Sequence, residues 1–261
     1  MDIARPLADP THSAIERDRA RLRYAVIGAG ALLAGIWLAW LGAWLLGWPL
    51  DTLGIRPREA DGLVGILSAP FAHASFAHLM SNTLPLALLA TLTLYCYPRA
   101  ARIALPLVWL LSGLGVWLFA RPSVHVGASG IAYGLMFFLF AMGLLRRDRL
   151  AIVTSLAVFF LYGGMLFGVL PHEQHVSFEY HLAGAVAGLL SAFLLHARDA
   201  HPPARHYAWE DEAAAPEPAW DAETEPPRPP EVPVLWRHPP AGRRDNVIAF
   251  PRGDDDRPTL H

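Results

Sequence analysis

Two polar side chains within apolar stretches of this 261-residue sequence have the types needed for nucleophilic catalysis. Ser129 lies in the tetrapeptide Gly127–Gly130, which reads GASG, and His181 stands three residues before Gly184. A serine hydroxyl is a weak nucleophile until an adjacent base takes its proton, and histidine is the commonest such base. A Ser-His pair is predicted if the fold brings the two residues together. Each residue alone also has a structural interpretation, since small and polar residues serve helix packing in membranes.

His78 and Asn82 form a second polar group. Their spacing of four residues places both side chains on one face of a helix, one turn apart. Polar groups inside an apolar segment are costly, so each is a candidate functional residue. The alternative is that the pair only holds its helix against a neighbour through hydrogen bonds.

The helices that must position these residues are predicted from the distribution of apolar residues. The chain is 54% apolar and 17% charged, whereas soluble domains average about 45–50% and about 25%. The apolar excess is confined to residues 24–196, and a membrane-spanning helix needs about 20 such residues. The sequence therefore predicts an all-α, polytopic membrane protein with a core of six transmembrane helices. The six predicted spans are Tyr24–Trp48, Ala77–Tyr97, Ile103–Phe119, Val126–Leu145, Leu150–Leu170 and Tyr180–His196.

Arginine placement predicts the orientation of these spans, because cytoplasmic loops are enriched in basic residues. With both termini in the cytoplasm, residues 1–23 form a short cytoplasmic segment before the first span. Acidic residues among its arginines are unlike an organelle transit peptide and favour a bacterial inner membrane. Ten arginines then lie inside (17, 19, 21, 23, 99, 102, 146, 147, 149 and 198) and three outside (56, 58 and 121).

Depth in the membrane connects the polar residues. In this orientation spans two, four and six all run from outside to inside, so their first turns lie in the outer leaflet. His78, Asn82, Ser129 and His181 each fall near the start of one of these spans. Four polar side chains from three helices are thus expected at one depth, a few residues below the outer surface.

Glycine pairs predict which of these helices pack together. Gly130 and Gly134 form a small-xxx-small pair on span four, and Gly184 and Gly188 form another on span six. Such pairs let membrane helices approach closely, which would bring the serine and the histidine within hydrogen-bond reach. Because spans two, four and six contain no Asp or Glu to orient the histidine, the sequence indicates a dyad rather than a triad.

Composition excludes several other classes of site. Cys96 is the only cysteine, which excludes disulfide scaffolds and cysteine-rich metal sites. No compact metal-binding motif such as HExxH is present, so no metal and no cofactor are expected. The charge balance of 21 arginines and 23 acids gives no basic surface, so no nucleic-acid partner is expected. Four other histidines are expected to be solvated or interfacial in the outer loops: His73, His125, His172 and His175.

Residues 197–261 differ in composition from the core. This segment is rich in proline and charge, and it has too little apolar surface to offset the entropy of ordering. It is predicted to be a disordered cytoplasmic tail. One apolar patch, Asn246–Arg252, is either a chance run in a linker or a docking motif for a cytoplasmic partner.

These motifs resemble those of the rhomboid intramembrane serine proteases, and the resemblance covers the six-span core, about residues 24–196. In that family a GxSG box opens span four, an HxxxN pair opens span two, and span six carries HxxGxxxG. The resemblance implies catalytic Ser129 and His181 and an oxyanion hole formed by His78 and Asn82. It also implies supporting roles for Gly127, Gly130, Tyr133, Gly184, Gly188 and His73, with Tyr133 as the aromatic residue on which the base stacks.

The implied activity is that of a serine endopeptidase which hydrolyses peptide bonds in or next to transmembrane segments, near the outer leaflet. Its partners would be transmembrane protein substrates and the lipid bilayer. One alternative is a catalytically inactive rhomboid-like protein that binds transmembrane segments. A transporter is less consistent with the sequence, which has no inverted repeats and no polar cluster at mid-membrane depth. The chain departs from many family members by lacking a Trp-Arg pair in the first outer loop.

Overall fold

The computed structural model describes residues 12–171 and 176–200 of the chain. His172, His175, the patch at 246–252 and the expected disorder of the tail beyond residue 200 lie outside these ranges. Within them the regular elements are helical, apart from one isolated β-bridge between Ile55 and His125. The six long helices are α1 (His12–Leu46), α2 (Phe76–Cys96), α3 (Pro98–Phe119), α4 (Ser129–Arg146), α5 (Arg149–Tyr162) and α6 (Phe178–Leu195).

All six helices are long and apolar enough to cross a membrane, with α5 extended by a 3-10 helix at Gly163–Val169. The predicted all-α class and the number of spans are therefore confirmed, and the protein is an integral membrane protein. Shorter helical turns lie in the loop between α1 and α2: Leu50–Leu53, Asp61–Leu63, Gly65–Ser68 and Ala69–Phe71.

Helix α4 lies at the centre of the bundle. Of its residues 72% are buried, against 17–44% in the apolar stretches of the other five spans. Glycines allow this position: a Cβ atom on Gly184 of α6 would overlap the carbonyl oxygen of Gly130, and one on Gly188 would overlap that of Gly134. The two glycine faces pack together, as the sequence predicts.

Helix α1 begins at His12, well before the predicted start at Tyr24. The residues between these two positions include no glycine or proline and are mostly good helix formers. The helix therefore extends toward the N-terminus beyond the start of the apolar run. The Arg21 guanidinium donates a 2.8 Å hydrogen bond to the carbonyl of Cys96. Part of the predicted N-terminal segment is thereby fixed against the end of α2.

Helix α3 begins at Pro98, before the predicted start of span three at Ile103. Proline suits the first position of a helix, because its fixed φ is helical and its missing N–H has no partner there. The Asp199 carboxylate accepts hydrogen bonds from the backbone N–H groups of Arg99 (3.0 Å) and Ala100 (2.9 Å). An acidic side chain distant in sequence thus completes the cap of this helix.

The predicted tail does not begin at Ala197, because the next residues pack against the core. Arg146, at the end of α4, is 9% exposed. Its guanidinium donates to the carbonyls of His196 and Asp199 at 2.8 Å and of Ala200 at 3.2 Å. The packed core therefore extends to residue 200.

The loop between α1 and α2 is fixed to the end of α3 even though it lacks the Trp-Arg pair. The Arg58 guanidinium donates a 2.8 Å hydrogen bond to the carbonyl of Ala120. The indole N–H of Trp117, on α3, donates a 2.9 Å hydrogen bond to the carbonyl of Glu59. An arginine and a tryptophan still hold the loop, but the tryptophan comes from the neighbouring helix.

Candidate active site

One cavity of about 660 Å³ opens at the N-terminal ends of α2, α4 and α6. Ser129, His181, His78 and Asn82 all line it. Asn82 and His181 are buried, whereas His78 and Ser129 are half-buried. The structure thus brings the four polar residues from three helices to a single cavity.

Ser129 is the first residue of α4, and its position depends on Gly127. Gly127 has a φ of +110°, which other residues rarely adopt. A Cβ atom there would also lie only 2.7 Å from the His78 ring. The segment before the serine therefore turns sharply against His78. The backbone N–H groups at the start of a helix have no intrahelical partner, so those near Ser129 can bind an anion.

His181 lies in the first turn of α6, and its ring is held on two sides. It stacks on Tyr133 with ring centroids 4.0 Å apart and an angle of 6° between the planes. Its Nδ1 lies 2.8 Å from the carbonyl oxygen of Gly168. A carbonyl can only accept, so Nδ1 carries the proton in the neutral ring and Nε2 is the nitrogen that can take another. This is the tautomer that a general base requires.

Glu179 also lies in α6, contrary to the expectation that span six contains no acidic residue. Its carboxylate lies 3.4 Å from the Arg121 Nε atom, and Glu179 does not line the cavity that holds Ser129. The partner of the His181 Nδ1 atom is a backbone carbonyl. The hydrogen bond that orients the His181 ring is thus made by a backbone carbonyl and not by Glu179.

His78 and Asn82 lie on adjacent turns of α2. The Ser75 hydroxyl caps this helix by accepting a 3.1 Å hydrogen bond from the His78 backbone N–H. The Asn82 amide donates a 2.9 Å hydrogen bond to the His78 carbonyl, which uses one of its two amide hydrogens. The side chain still lines the cavity, so its second amide hydrogen can be directed there.

His73 is 1% exposed, so the expectation of a solvated or interfacial side chain was wrong. Its ring lies edge-on to that of His78, with centroids 5.1 Å apart. Burial, assisted by the nearby His78, lowers the pKa of His73 to about 4, and the Phe71 backbone opposes this shift only in part. His73 is therefore neutral at neutral pH and packs as a buried ring behind His78.

His125 is 2% exposed, so the expectation of a solvated or interfacial ring was wrong here as well. Its Nδ1 lies 2.6 Å from the Ser177 hydroxyl, and its Nε2 lies 3.1 Å from the Arg121 carbonyl. Burial lowers the pKa of His125, which favours the neutral ring. No functional role was predicted for His125, because it lies in the loop before predicted span four, although it stands only four residues before Ser129.

Two further observations concern metal binding and Cys96. Within residues 12–171 and 176–200, no three His, Cys, Asp or Glu side chains come together as a set that could hold a metal ion. Cys96 is buried at the opposite end of α2 from His78, with its Sγ atom 3.5 Å from the Thr154 hydroxyl. It lies far along the helix from the cavity.

Comparison with known proteins gives one matching family. Residues 60–198, more than half of the chain, match the Rhomboid domain. This segment includes α2 to α6 and every residue that lines the cavity.

Individual relatives come from bacteria and from a plant. An uncharacterized protein of Mycobacterium tuberculosis is 39% identical over 208 residues, which are 76% of this chain and 86% of its own. An uncharacterized protein of Mycobacterium leprae is 36% identical over 188 residues, or 68% of this chain and 74% of its own. RHOMBOID-like protein 2 of Arabidopsis thaliana is 28% identical over 154 residues, or 56% of this chain and 44% of its own.

Proposed function

Because the chain belongs to the rhomboid family, we propose that it is an intramembrane serine endopeptidase. It hydrolyses peptide bonds in or next to transmembrane segments of membrane protein substrates, near the outer leaflet. The observation that carries this proposal is the state of His181, whose ring is held by Tyr133 and Gly168 with Nε2 as the basic nitrogen in the cavity that Ser129 also lines.

In the proposed reaction, His181 Nε2 removes the proton of the Ser129 hydroxyl while the Ser129 oxygen attacks the scissile carbonyl. The proton then passes to the leaving amine, and a water molecule hydrolyses the acyl-enzyme with the same base. The Gly168 carbonyl keeps the Nδ1 proton in place and stabilises the positive charge that the ring acquires. No carboxylate is needed for this cycle.

The developing oxyanion is held by the Ser129 backbone N–H together with the His78 and Asn82 side chains. Gly127 brings the backbone before Ser129 against the His78 ring, so the N-terminus of α4 lies close to that ring. Donors in such sites each contribute roughly 2.7–4 kcal/mol to transition-state stabilisation.

The cavity and the depth of Ser129 set the class of substrate. A carbonyl inside a helix is hydrogen-bonded and shielded, so the substrate helix must unwind locally before attack. Segments with glycine, proline or polar residues near the outer end of a span unwind most readily. Membrane proteins with such segments are the proposed substrates.

The proposed location is a bacterial inner membrane with both termini in the cytoplasm, since the arginines are biased to that side. The cavity at the N-terminal ends of α2, α4 and α6 then opens toward the outer surface. Water reaches Ser129 from that side.

The direct test compares wild type with Ser129→Ala for cleavage of a reporter membrane protein in vesicles. The proposal expects complete loss of cleavage with an unchanged thermal unfolding midpoint. Ser191→Ala is the matched control, because the Ser191 hydroxyl only bonds to the Ala187 carbonyl of its own helix. Full cleavage by Ser129→Ala would overturn the assignment, and a wild type that binds the reporter without cutting it would favour the inactive, segment-binding alternative.

A further inference from the structure

A partly buried hydrogen bond connects the segment that carries Ser129 to the helix that carries His181. His125 stands four residues before Ser129, and Ser177 stands four residues before His181. The His125 Nδ1 atom and the Ser177 hydroxyl oxygen are 2.6 Å apart. The two residues also line the cavity, beside the predicted catalytic pair.

The direction of each hydrogen bond in this connection follows from its chemistry. The Arg121 carbonyl can only accept, so the His125 Nε2 atom 3.1 Å away carries the proton, and the Ser123 hydroxyl oxygen, also 3.1 Å from Nε2, is a second acceptor. In the neutral ring Nδ1 is then an acceptor, and the Ser177 hydroxyl must donate to it. The Ser177 oxygen accepts in turn from the Tyr180 backbone N–H at 3.2 Å. A continuous, directed chain thus runs from α6 to the loop before α4.

His125 is fixed at its backbone as well as at its ring. Its N–H donates to the Ile55 carbonyl at 3.0 Å, and its carbonyl accepts from the Ile55 N–H at 2.8 Å. The backbone that carries the ring therefore cannot shift without breaking bonds to the loop between α1 and α2. Ser177, by contrast, is the N-cap of α6, so its position determines where the first turn of that helix lies.

The geometry points to His125 as a positioning residue for the proposed protease reaction, acting through Ser177 to set the separation of Ser129 and His181. The inference rests on the proposed function. Helices α4 and α6 already pack at their N-terminal ends, where Gly130 meets the Tyr180 ring and Gly184. The His125–Ser177 bond adds a polar link between the segments just before the two helices. Small errors in the placement of reacting groups cost large factors in rate, which is why this link matters for the chemical step.

Variants of both residues test the inference with the full-length protein in detergent micelles. His125→Phe keeps a ring of similar shape but removes the acceptor, whereas His125→Asn places an amide oxygen close to the position of Nδ1. Ser177→Ala removes the hydroxyl, whereas Ser177→Thr keeps it. The measurements are kcat and KM for a reporter substrate, the rate of Ser129 labelling by a fluorophosphonate, and the unfolding midpoint.

The inference expects His125→Phe and Ser177→Ala to lower kcat and the labelling rate about 10- to 100-fold with KM within about twofold. His125→Asn and Ser177→Thr restore most of the rate. The double variant His125→Phe/Ser177→Ala is no slower than the slower single variant, because both remove the same bond. His196→Phe, at the other end of α6, is the control with unchanged kcat.

Three results would overturn the inference. The first is a wild-type kcat and labelling rate in His125→Phe. The second is an equal loss of kcat in His125→Phe and His125→Asn. The third is a loss of kcat that only follows a lower unfolding midpoint. A wild type whose Ser129 is neither labelled nor needed for cleavage would instead overturn the proposed function, and the inference with it. The two failures are therefore distinguishable.

Discussion

The imidazole of His181 has little freedom, because the parallel Tyr133 ring covers one face and the Gly168 carbonyl fixes Nδ1. A Cβ atom on Gly168 would overlap the Tyr133 hydroxyl, so the three groups are in close contact. A base that is held in one orientation loses little entropy when it takes a proton in the transition state. The stacked ring of Tyr133 therefore helps to orient the His181 imidazole, which a carboxylate does in a catalytic triad.

Replacing the stacked ring tests this interpretation. Tyr133→Leu is expected to lower kcat for reporter cleavage at least about tenfold with little change in KM, because the base can then turn away from Ser129. Tyr133→Phe keeps the ring and is expected to retain most of the activity. A Leu variant with wild-type kcat would show that stacking is not needed.

Burial of His73 makes a prediction about acid stability. With a pKa of about 4 in the fold and 6.5 when exposed, the unfolded chain binds more protons between these pH values. The contribution of the neutral His73 to the free energy of unfolding is thus complete above pH 6.5. It is lost as the pH falls toward 4, and the total loss is about 3 kcal/mol.

The measurement is the unfolding midpoint of the purified protein between pH 7 and pH 4, for wild type and His73→Leu. Leucine is apolar and of similar size, so the variant removes the titrating group from this buried position. The variant is expected to lose less stability on acidification than wild type. Equal losses would contradict the assignment of a neutral, buried His73.

Residues such as Ser129 and His181 could be identified from the sequence because a polar group in an apolar span needs a reason to be there. The same logic fails for His73 and His125. Both lie in loops, where a polar residue is ordinary. His125 is buried where its segment pairs with the distant Ile55, and His73 is buried beside the His78 ring. Burial caused by contacts between distant segments leaves no local signal in the sequence.

At the scale of helices, the contact of α4 with α6 determines whether the two halves of the site meet. The overlap that a Cβ atom at Gly184 would make is with a backbone carbonyl, which cannot move aside as a side chain can. The same holds for a Cβ atom at Gly188, which would overlap the Gly134 carbonyl. The glycine spacing in the sequence was sufficient to predict this contact.

Gly184→Ala is accordingly expected to lower the free energy of unfolding by about 1–3 kcal/mol and to reduce activity, because α6 must move away from α4. Gly42→Ala on α1 is the matched control, since a Cβ atom there meets nothing within 4 Å. Its unfolding midpoint should stay the same or rise. Equal effects at the two sites would contradict the proposed packing.

Helix ends were predicted less well than helix centres. Hydropathy marks where a chain can lie in lipid, but a helix continues as long as its backbone allows. The arginine-rich start of α1 and the proline at the start of α3 are both compatible with helix, so both helices are longer than their apolar runs. The Asp199 cap on α3 could not be predicted, because it joins positions about 100 residues apart.

At the scale of the whole molecule, the bias of arginines toward one side predicts the orientation in the membrane. The predicted inner and outer loops lie at opposite ends of the six helices. The proposed activity at the outer surface depends on this orientation.

Single-cysteine labelling checks the orientation in the membrane, in a Cys96→Ala background expressed in bacterial cells. A membrane-impermeant maleimide is expected to label Glu59→Cys in intact cells, and Arg102→Cys only after permeabilisation. Both side chains are exposed in the fold, so access depends on the side of the membrane alone. The reverse pattern would place the cavity on the cytoplasmic side and contradict the proposed substrate geometry.

The most direct test of the central claim is labelling of the purified protein by a fluorophosphonate probe, with the modified residue identified by peptide mass spectrometry. Such probes react with a serine only when a base activates it. The proposed dyad predicts labelling at Ser129 in wild type and its loss in both Ser129→Ala and His181→Ala. A wild type that stays unlabelled, or labelling of Ser129 that persists in His181→Ala, would contradict the proposed Ser-His dyad.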